Sequence, residues 1–293
     1  MEKLRSCLKL IRIPQWTKNL FIFLPAFFDL KLGELSVAYN LGLTFLGFSF
    51  LASAVYVFND MLDIESDKIH LTKRNRPLAS GKVTKKEGVF LIILLLILAT
   101  IVFVLLQNTV AMIIAGVYLV QNILYTIKLK HISLLDIMLI ATGFVLRIMI
   151  GGEASDTHLS HWIIVMTLVL ALFLALAKRR DDVANYVETG QKARKNIQGY
   201  NLEFLNVAIT MMATAVVVCY VMYCTSPEIV ATFGDHTYLT SFFVILGVLR
   251  YLQLTFVWRI SGSPTTVLLE NRFLQIILVG WIVSFFLIIY LKV

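Results

Sequence analysis

The sequence predicts an all-α, polytopic membrane protein with about nine transmembrane helices. Three observations carry this expectation. Apolar residues make up 59% of the 293-residue chain and charged residues only 15%, against roughly 45–50% and 25% in soluble domains. The apolar residues are spread along the whole chain, in runs near the ~20 residues that a helix needs to cross a bilayer. The basic residues separate by side: if the N-terminus is inside, 22 of the 26 Lys and Arg fall on that side, the asymmetry that sets orientation in a membrane.

Taken in order, residues 1–18 read as an interfacial amphipathic helix. Leu4, Leu8 and Ile11 share a face, with Lys3, Arg5, Lys9 and Arg12 mostly elsewhere. This stretch lacks an apolar core followed by a small-residue cleavage site, so no cleaved signal is expected. Membrane helices are placed at 19–32, 37–58, 88–106, 108–127, 133–151, 160–178, 204–223, 238–258 and 273–292. No Pro/Gly/Ser-rich linker divides them, so residues 1–293 read as one domain. Lys31 and Lys292 fall outside, and Arg147 and Arg250 lie within helices. The long inside segments 59–87 and 178–203 follow the second and sixth helices, an offset that hints at an internal pseudo-repeat.

Several function classes drop out. The net charge of +8 is accounted for by topology, and no basic helix with interleaved aromatics stands outside the membrane, so no nucleic acid is expected. The outer loops are short and nearly uncharged. Transporters gather polar groups near the bilayer midplane, whereas here they crowd one end. Cys7, Cys219 and Cys224 form no CxxC and read as isolated thiols. The five histidines form no cluster.

The chemistry is concentrated in Asn59-Asp60-Met61-Leu62-Asp63-Ile64-Glu65-Ser66-Asp67. If this stretch continues the second helix, Asp60, Asp63 and Asp67 lie at i, i+3 and i+7 on one face, with Asn59 at its edge. Three acids held together need a cation, and Mg²⁺ takes oxygen ligands and often bridges carboxylates to substrate phosphates. Six residues on, Lys73-Arg74-Asn75-Arg76-Pro77-Leu78-Ala79-Ser80-Gly81 reads as a diphosphate clamp, since Arg forks onto phosphate oxygens and Lys supplies a point charge. Metal carboxylates beside such cations are what a leaving diphosphate requires. Asp60, Asp63, Asp67, Lys73 and Arg74 are therefore the candidate catalytic residues, and Arg76 a binding residue. The second long segment opens Lys178-Arg179-Arg180-Asp181-Asp182 and continues to Arg194 and Tyr200, a second anion site. Tyr125, Lys128 and Lys130 sit at the inner end of the fourth helix. Arg147, a charge inside a membrane helix, is expected to face a polar cavity.

These residues resemble the UbiA superfamily of intramembrane prenyltransferases, whose NDxxDxxxD motif matches Asn59 to Asp67. The resemblance is narrower for the decaprenyl-phosphate phosphoribosyltransferase branch. It is carried by Gln15-Trp16-Thr17-Lys18-Asn19, the run from Lys73 to Gly81, Gly143-Phe144-Val145-Leu146-Arg147, Lys178-Arg179-Arg180, Arg194, Tyr200 and Arg250-Tyr251. It implies a helical bundle around a central cavity open to the cytoplasm and laterally to lipid. It also implies Mg²⁺-dependent transfer of 5-phosphoribose from 5-phosphoribosyl 1-diphosphate to a polyprenyl phosphate, with diphosphate released. Lys18 and Asn19 join the binding residues on this ground. The site would face the cytoplasm at the plasma membrane, and a homo-oligomer is left open. One departure is informative. Aromatic prenyltransferases carry a second DxxxD motif after the sixth helix, but here Asp181 is followed by Asn185. That weighs against the alternative, transfer of an isoprenyl chain from its diphosphate to an aromatic or quinone precursor.

Overall fold

The structure, a computed structural model, describes residues 2–69, 73–190, 195–259 and 264–291, and among them all regular structure is helical. The chain forms two compact units, Met1–Leu159 and Ser160–Val293. Their boundary falls in a short turn with no linker composition, which is why the sequence reads as undivided.

The first unit holds α1 (Glu2–Ile11), a 3-10 stretch Ile13–Phe23, α2 (Leu24–Phe28), α3 (Leu35–Leu62), α4 (Ile64–Ile69), α5 (Lys85–Leu106), α6 (Thr109–Ile127) and α7 (Leu135–Ala154). The second holds α8 (His161–Thr189), α9 (Leu202–Cys224), α10 (Pro227–Phe233), α11 (Ser241–Phe256), α12 (Pro264–Glu270) and α13 (Arg272–Leu291). Among the described residues seven helical segments are long and apolar enough to cross a membrane: α3, α5, α6, α7, α8, α9, and α11 with the turn that precedes it. The chain is a multi-pass membrane protein.

The first expected helix, 19–32, is not formed as one α-helix. Pro25 has no N–H, so it cannot carry an α-helical hydrogen bond through its position and is accommodated instead at the start of a helix. The segment is therefore split into the 3-10 stretch and the five-residue α2, with Pro14 and Pro25 each near the start of its piece. Because a 3-10 helix rises further per residue, the two pieces together still extend about 30 Å. The N-terminal helix also stops earlier than expected. Arg12, at φ 58° and ψ 46°, turns the chain in the left-handed region directly after Ile11. At the other two charged segments helix runs further than expected. α3 reaches Leu62, and α8 continues through the charges to Thr189 before Gly190, at φ 69°, ends it. Arg179 and Asp182, paired at i and i+3, support this extension.

Packing in the first unit forms two apolar clusters. One gathers Ile22, Leu41, Phe48, Val55, Tyr118 and Ile150; the other gathers Leu10, Val57, Ile64, Leu78, Val83 and Leu91. The 3-10 stretch lies close against α7 because position 151 is glycine: a Cβ there would stand 2.1 Å from the Ile22 carbonyl oxygen. Small residues let backbones approach in this way inside membranes. Gly151→Ala is expected to destabilise the first unit by about 1–3 kcal/mol, the usual cost of overpacking. A thermal midpoint in detergent equal to that of the parent protein would refute this. In the second unit Trp281 Nε1 donates to Tyr220 Oη at 2.6 Å, and Tyr220 shares a 2.8 Å hydrogen bond with Thr240 beside buried Cys224. All three cysteines are free thiols.

Candidate active site

The acidic centre forms where α3 ends. Asp60 lies in the last turn of α3 and is 2% exposed; Asp67 in α4 is 3% exposed. Asp63 sits between the two helices as the C-cap of α3, at φ −93° and ψ 6°, with its N–H bonded to the Asn59 carbonyl at 3.0 Å. This one-residue break sorts the three acids. Nη1 of Arg76 donates to Asp60 Oδ1 at 3.0 Å and to Asp67 Oδ2 at 2.7 Å. Asp63 instead accepts from Lys130 Nζ at 2.7 Å and from Asn59 Nδ2 at 3.1 Å. The expected triad is thus a buried pair with a third, half-buried acid set apart. Among the described residues no three acidic, His or Cys side chains gather closely enough to hold a metal ion. The Asp60–Asp67 pair nevertheless suits a hard divalent cation, because one nitrogen of Arg76 already stands where a shared positive charge would sit.

Arg76 is placed by a compact turn. Its carbonyl accepts from Ser80 N–H at 2.8 Å, and Val83 N–H reaches the Pro77 carbonyl at 3.0 Å. Gly81 takes φ 75°, which only glycine adopts freely. Leu78 and Val83 plug the turn into the apolar cluster with Val57 and Ile64. Within the same segment Lys73 is half-buried and Arg74 exposed.

Two residues of this centre were not singled out from the sequence. Arg12 Nη2 bonds Asp60 Oδ1 at 2.5 Å, and its guanidinium lies 5.3 Å from the Tyr56 ring. Lys130 reaches both Asp63 and Asn59. In the sequence Arg12 counts only as an inward-side charge, and Lys130 only as a residue at the inner end of the fourth helix, without a role. The proximity of Arg12 to Asp60 depends on the left-handed turn, for which Arg carries no local signal.

Deeper in the first unit, Arg147 is 4% exposed. Its Nε donates to Asn19 Oδ1 at 2.8 Å, Nη1 to the Gly143 carbonyl at 2.6 Å and Nη2 to Tyr118 Oη at 3.2 Å. The guanidinium lies 5.0 to 5.3 Å from the rings of Phe48, Tyr118 and Phe144. Asn19 in turn donates to Ser49 at 2.8 Å. Lys18 is half-buried beside it, Tyr125 is half-buried near the end of α6, and Lys128 is exposed at its C-cap.

In the second unit Arg179 and Arg180 point inward on α8. Arg179 pairs with Asp182 at 2.8 Å. Arg180 donates to Asn206 Oδ1 at 2.7 Å and to the Thr255 carbonyl at 3.0 Å, over the Phe256 ring. Lys178 is half-buried and Tyr200 buried, the latter 6.2 Å from the Phe204 ring. Arg194 lies outside the described residues.

A model of the UbiA prenyltransferase family matches residues 20–290. The chain is 32% identical over 286 residues to decaprenyl-phosphate phosphoribosyltransferase of Mycolicibacterium smegmatis, covering 94% of this chain and 89% of that one. It is 30% identical to the protein of the same name from Corynebacterium glutamicum, covering 97% and 86%. A solved UbiA homologue from Archaeoglobus fulgidus, bound to GPP and Mg²⁺, shares the fold at TM-score 0.70 and 18% identity, over 97% of this chain and 99% of its own.

Proposed function

The chain belongs to the UbiA prenyltransferase family, a family of membrane transferases, and from that premise we propose that it moves 5-phosphoribose from 5-phosphoribosyl 1-diphosphate to a polyprenyl phosphate. The observation that carries the proposal is the buried Asp60–Asp67 pair ringed by Arg12 and Arg76, at the start of a basic turn. Likeness over nearly the whole chain to two decaprenyl-phosphate phosphoribosyltransferases supports the choice of donor, as does Asn185 in place of a second motif acid.

In this reaction an acceptor phosphate oxygen bonds the anomeric carbon, and the bond from that carbon to the diphosphate oxygen breaks. Mg²⁺ held by Asp60 and Asp67 would supply Lewis-acid stabilisation of the departing diphosphate. Arg76, Lys73 and Arg74 bring further positive charge to that group, and Arg12 orients Asp60. Asp63 and Asn59 hold Lys130 in the same neighbourhood. The acceptor is already anionic, so the chain has no need of a strong general base. The donor is soluble, which sets the site at the cytoplasmic face of the plasma membrane, and the lipid acceptor arrives from the bilayer.

The test is diphosphate release by purified protein with Mg²⁺, 5-phosphoribosyl 1-diphosphate and a polyprenyl phosphate, each omitted in turn. Release that needs all three, with a ribose-bearing lipid product, is expected. Turnover only with a prenyl diphosphate and an aromatic acceptor would move the chain to isoprenyl transfer. Arg12→Ala is expected to lower kcat/KM by about 10–100-fold, as loss of a partner that orients a metal-binding carboxylate does. Unchanged kinetics would remove Arg12 from the site.

A further inference from the structure

α1 has two unlike faces. On a helix, residues four apart share a face, and residues two apart lie about 200° from each other. Ser6 and Leu10 are buried, Leu10 in the apolar cluster with Val57, Ile64 and Leu91, and Cys7 and Ile11 pack against that cluster. Leu4 and Leu8, on the opposite side, are 67% and 45% exposed. Arg5 and Lys9 flank the two leucines and are exposed as well. Lys3, Arg12, Lys31, Lys68, Arg76 and Lys130 each meet a carboxylate. Among the described residues Arg5 and Lys9 have no such partner, and no acid occurs from Lys3 to Arg12.

The level of α1 against the bilayer is set by α5. Lys3 meets one carboxylate oxygen of Glu87, and the other accepts from the Thr84 N–H at 3.0 Å in the capped first turn of α5. An exposed ion pair adds little stability; its value here is that it fixes position. Lys82, Lys85 and Lys86 stand exposed just before Glu87. Val89, Phe90, Ile93 and Ile97 follow it, apolar and exposed, a surface suited to lipid. The change from basic to apolar surface marks the membrane interface, and α1 lies at that height.

We propose that α1, beside the basic start of α5, is a docking surface for anionic phospholipids, with Leu4 and Leu8 entering the acyl region and Arg5 and Lys9 holding the headgroup phosphates. Burial of leucines alone would accept any lipid. The two uncompensated cations make the surface selective, since each Lys or Arg near an anionic bilayer is worth about fivefold in affinity. A second copy of α1 seated face to face on the first would cover the leucines but would bring four like charges together, so the bilayer is the better occupant. The surface is built from α1 and α5 alone and does not rest on the transferase reading.

The experiment places the full chain in phosphatidylcholine nanodiscs that carry a trace of photoactivatable phosphatidylglycerol or of photoactivatable phosphatidylcholine, with the same diazirine near the glycerol of each. Labelling of residues 2–12 is read by peptide mass spectrometry, with the lipid-facing side of α6 as reference. Both probes are expected to label α1. The phosphatidylglycerol probe should do so about tenfold or more in excess over phosphatidylcholine, relative to α6. In a protein carrying Arg5→Gln and Lys9→Gln that excess should fall to near one while labelling of α6 stays unchanged, which also shows that the variant is folded. Equal labelling of wild-type α1 by the two probes overturns the proposal without recourse to a variant. So does an excess that survives the double substitution. Labelling of α1 by neither probe would mean that something other than lipid, such as a second copy, covers the leucines, and would overturn it too.

Discussion

Asp60→Asn is expected to lower the rate of diphosphate release by about 10²–10³-fold, the scale of losing a preorganised charge at a reacting centre. The substitution keeps the shape of the side chain and removes its charge. Asp60 Oδ1 is the common acceptor of Arg12 and Arg76, so its neutralisation also leaves two guanidiniums facing an amide. Asp67→Asn should cost a similar amount, because Asp67 completes the pair around Arg76 Nη1. Asp63→Asn should cost clearly less, since Asp63 is half-exposed and bonded to Lys130 instead. The check is kcat for the three variants across a Mg²⁺ titration. A plain acidic triad predicts equal losses, and equal losses would sink the division into a pair and an outlier.

Arg76→Ala should fail differently. It strips the shared cation from two carboxylates that are nearly inaccessible, and breaking buried pairs in this way costs about 3–5 kcal/mol; partial exposure of Arg76 itself, at 27%, places the expectation near the lower end. The variant is thus expected to unfold at a markedly lower temperature and to be inactive. Arg76→Lys gives the sharper result. One nitrogen of Arg76 makes both contacts, so a single ammonium can replace it, and stability should be mostly retained. Thermal midpoints of the two variants, with and without Mg²⁺, decide the matter. Equal destabilisation by Lys and Ala would show that the planar fork, rather than the charge, is what the site uses.

Much of this centre could be read from the sequence because its parts are local. Asp60 and Asp67 are about two helical turns apart in sequence, and Arg76 belongs to a basic run a few residues on. The long helices were legible for a different reason: bilayer thickness imposes their length. What escaped reading depended on contacts between distant segments or on turns with no residue signature. Arg12 reaches Asp60 across 48 positions through a left-handed conformation that Arg does not announce. Lys130 reaches Asp63 across 67. The far end of α8 is not visible in hydropathy, which falls at Lys178 while helix geometry continues; the stop signal, Gly190, lies twelve residues later. The broken first helix did have a visible cause, Pro25, whose effect a hydropathy window averages away.

Arg12 is joined without a spacer to α1, and α1 is anchored next to it by Leu10, which is buried in the apolar cluster with Val57 and Ile64. α1 is therefore a lever on the acidic centre. An affinity tag that pulls on α1, or a truncation that removes it, would act as an active-site lesion made from outside. Low activity in a protein altered at that end is to be traced to Arg12 before any other residue is suspected.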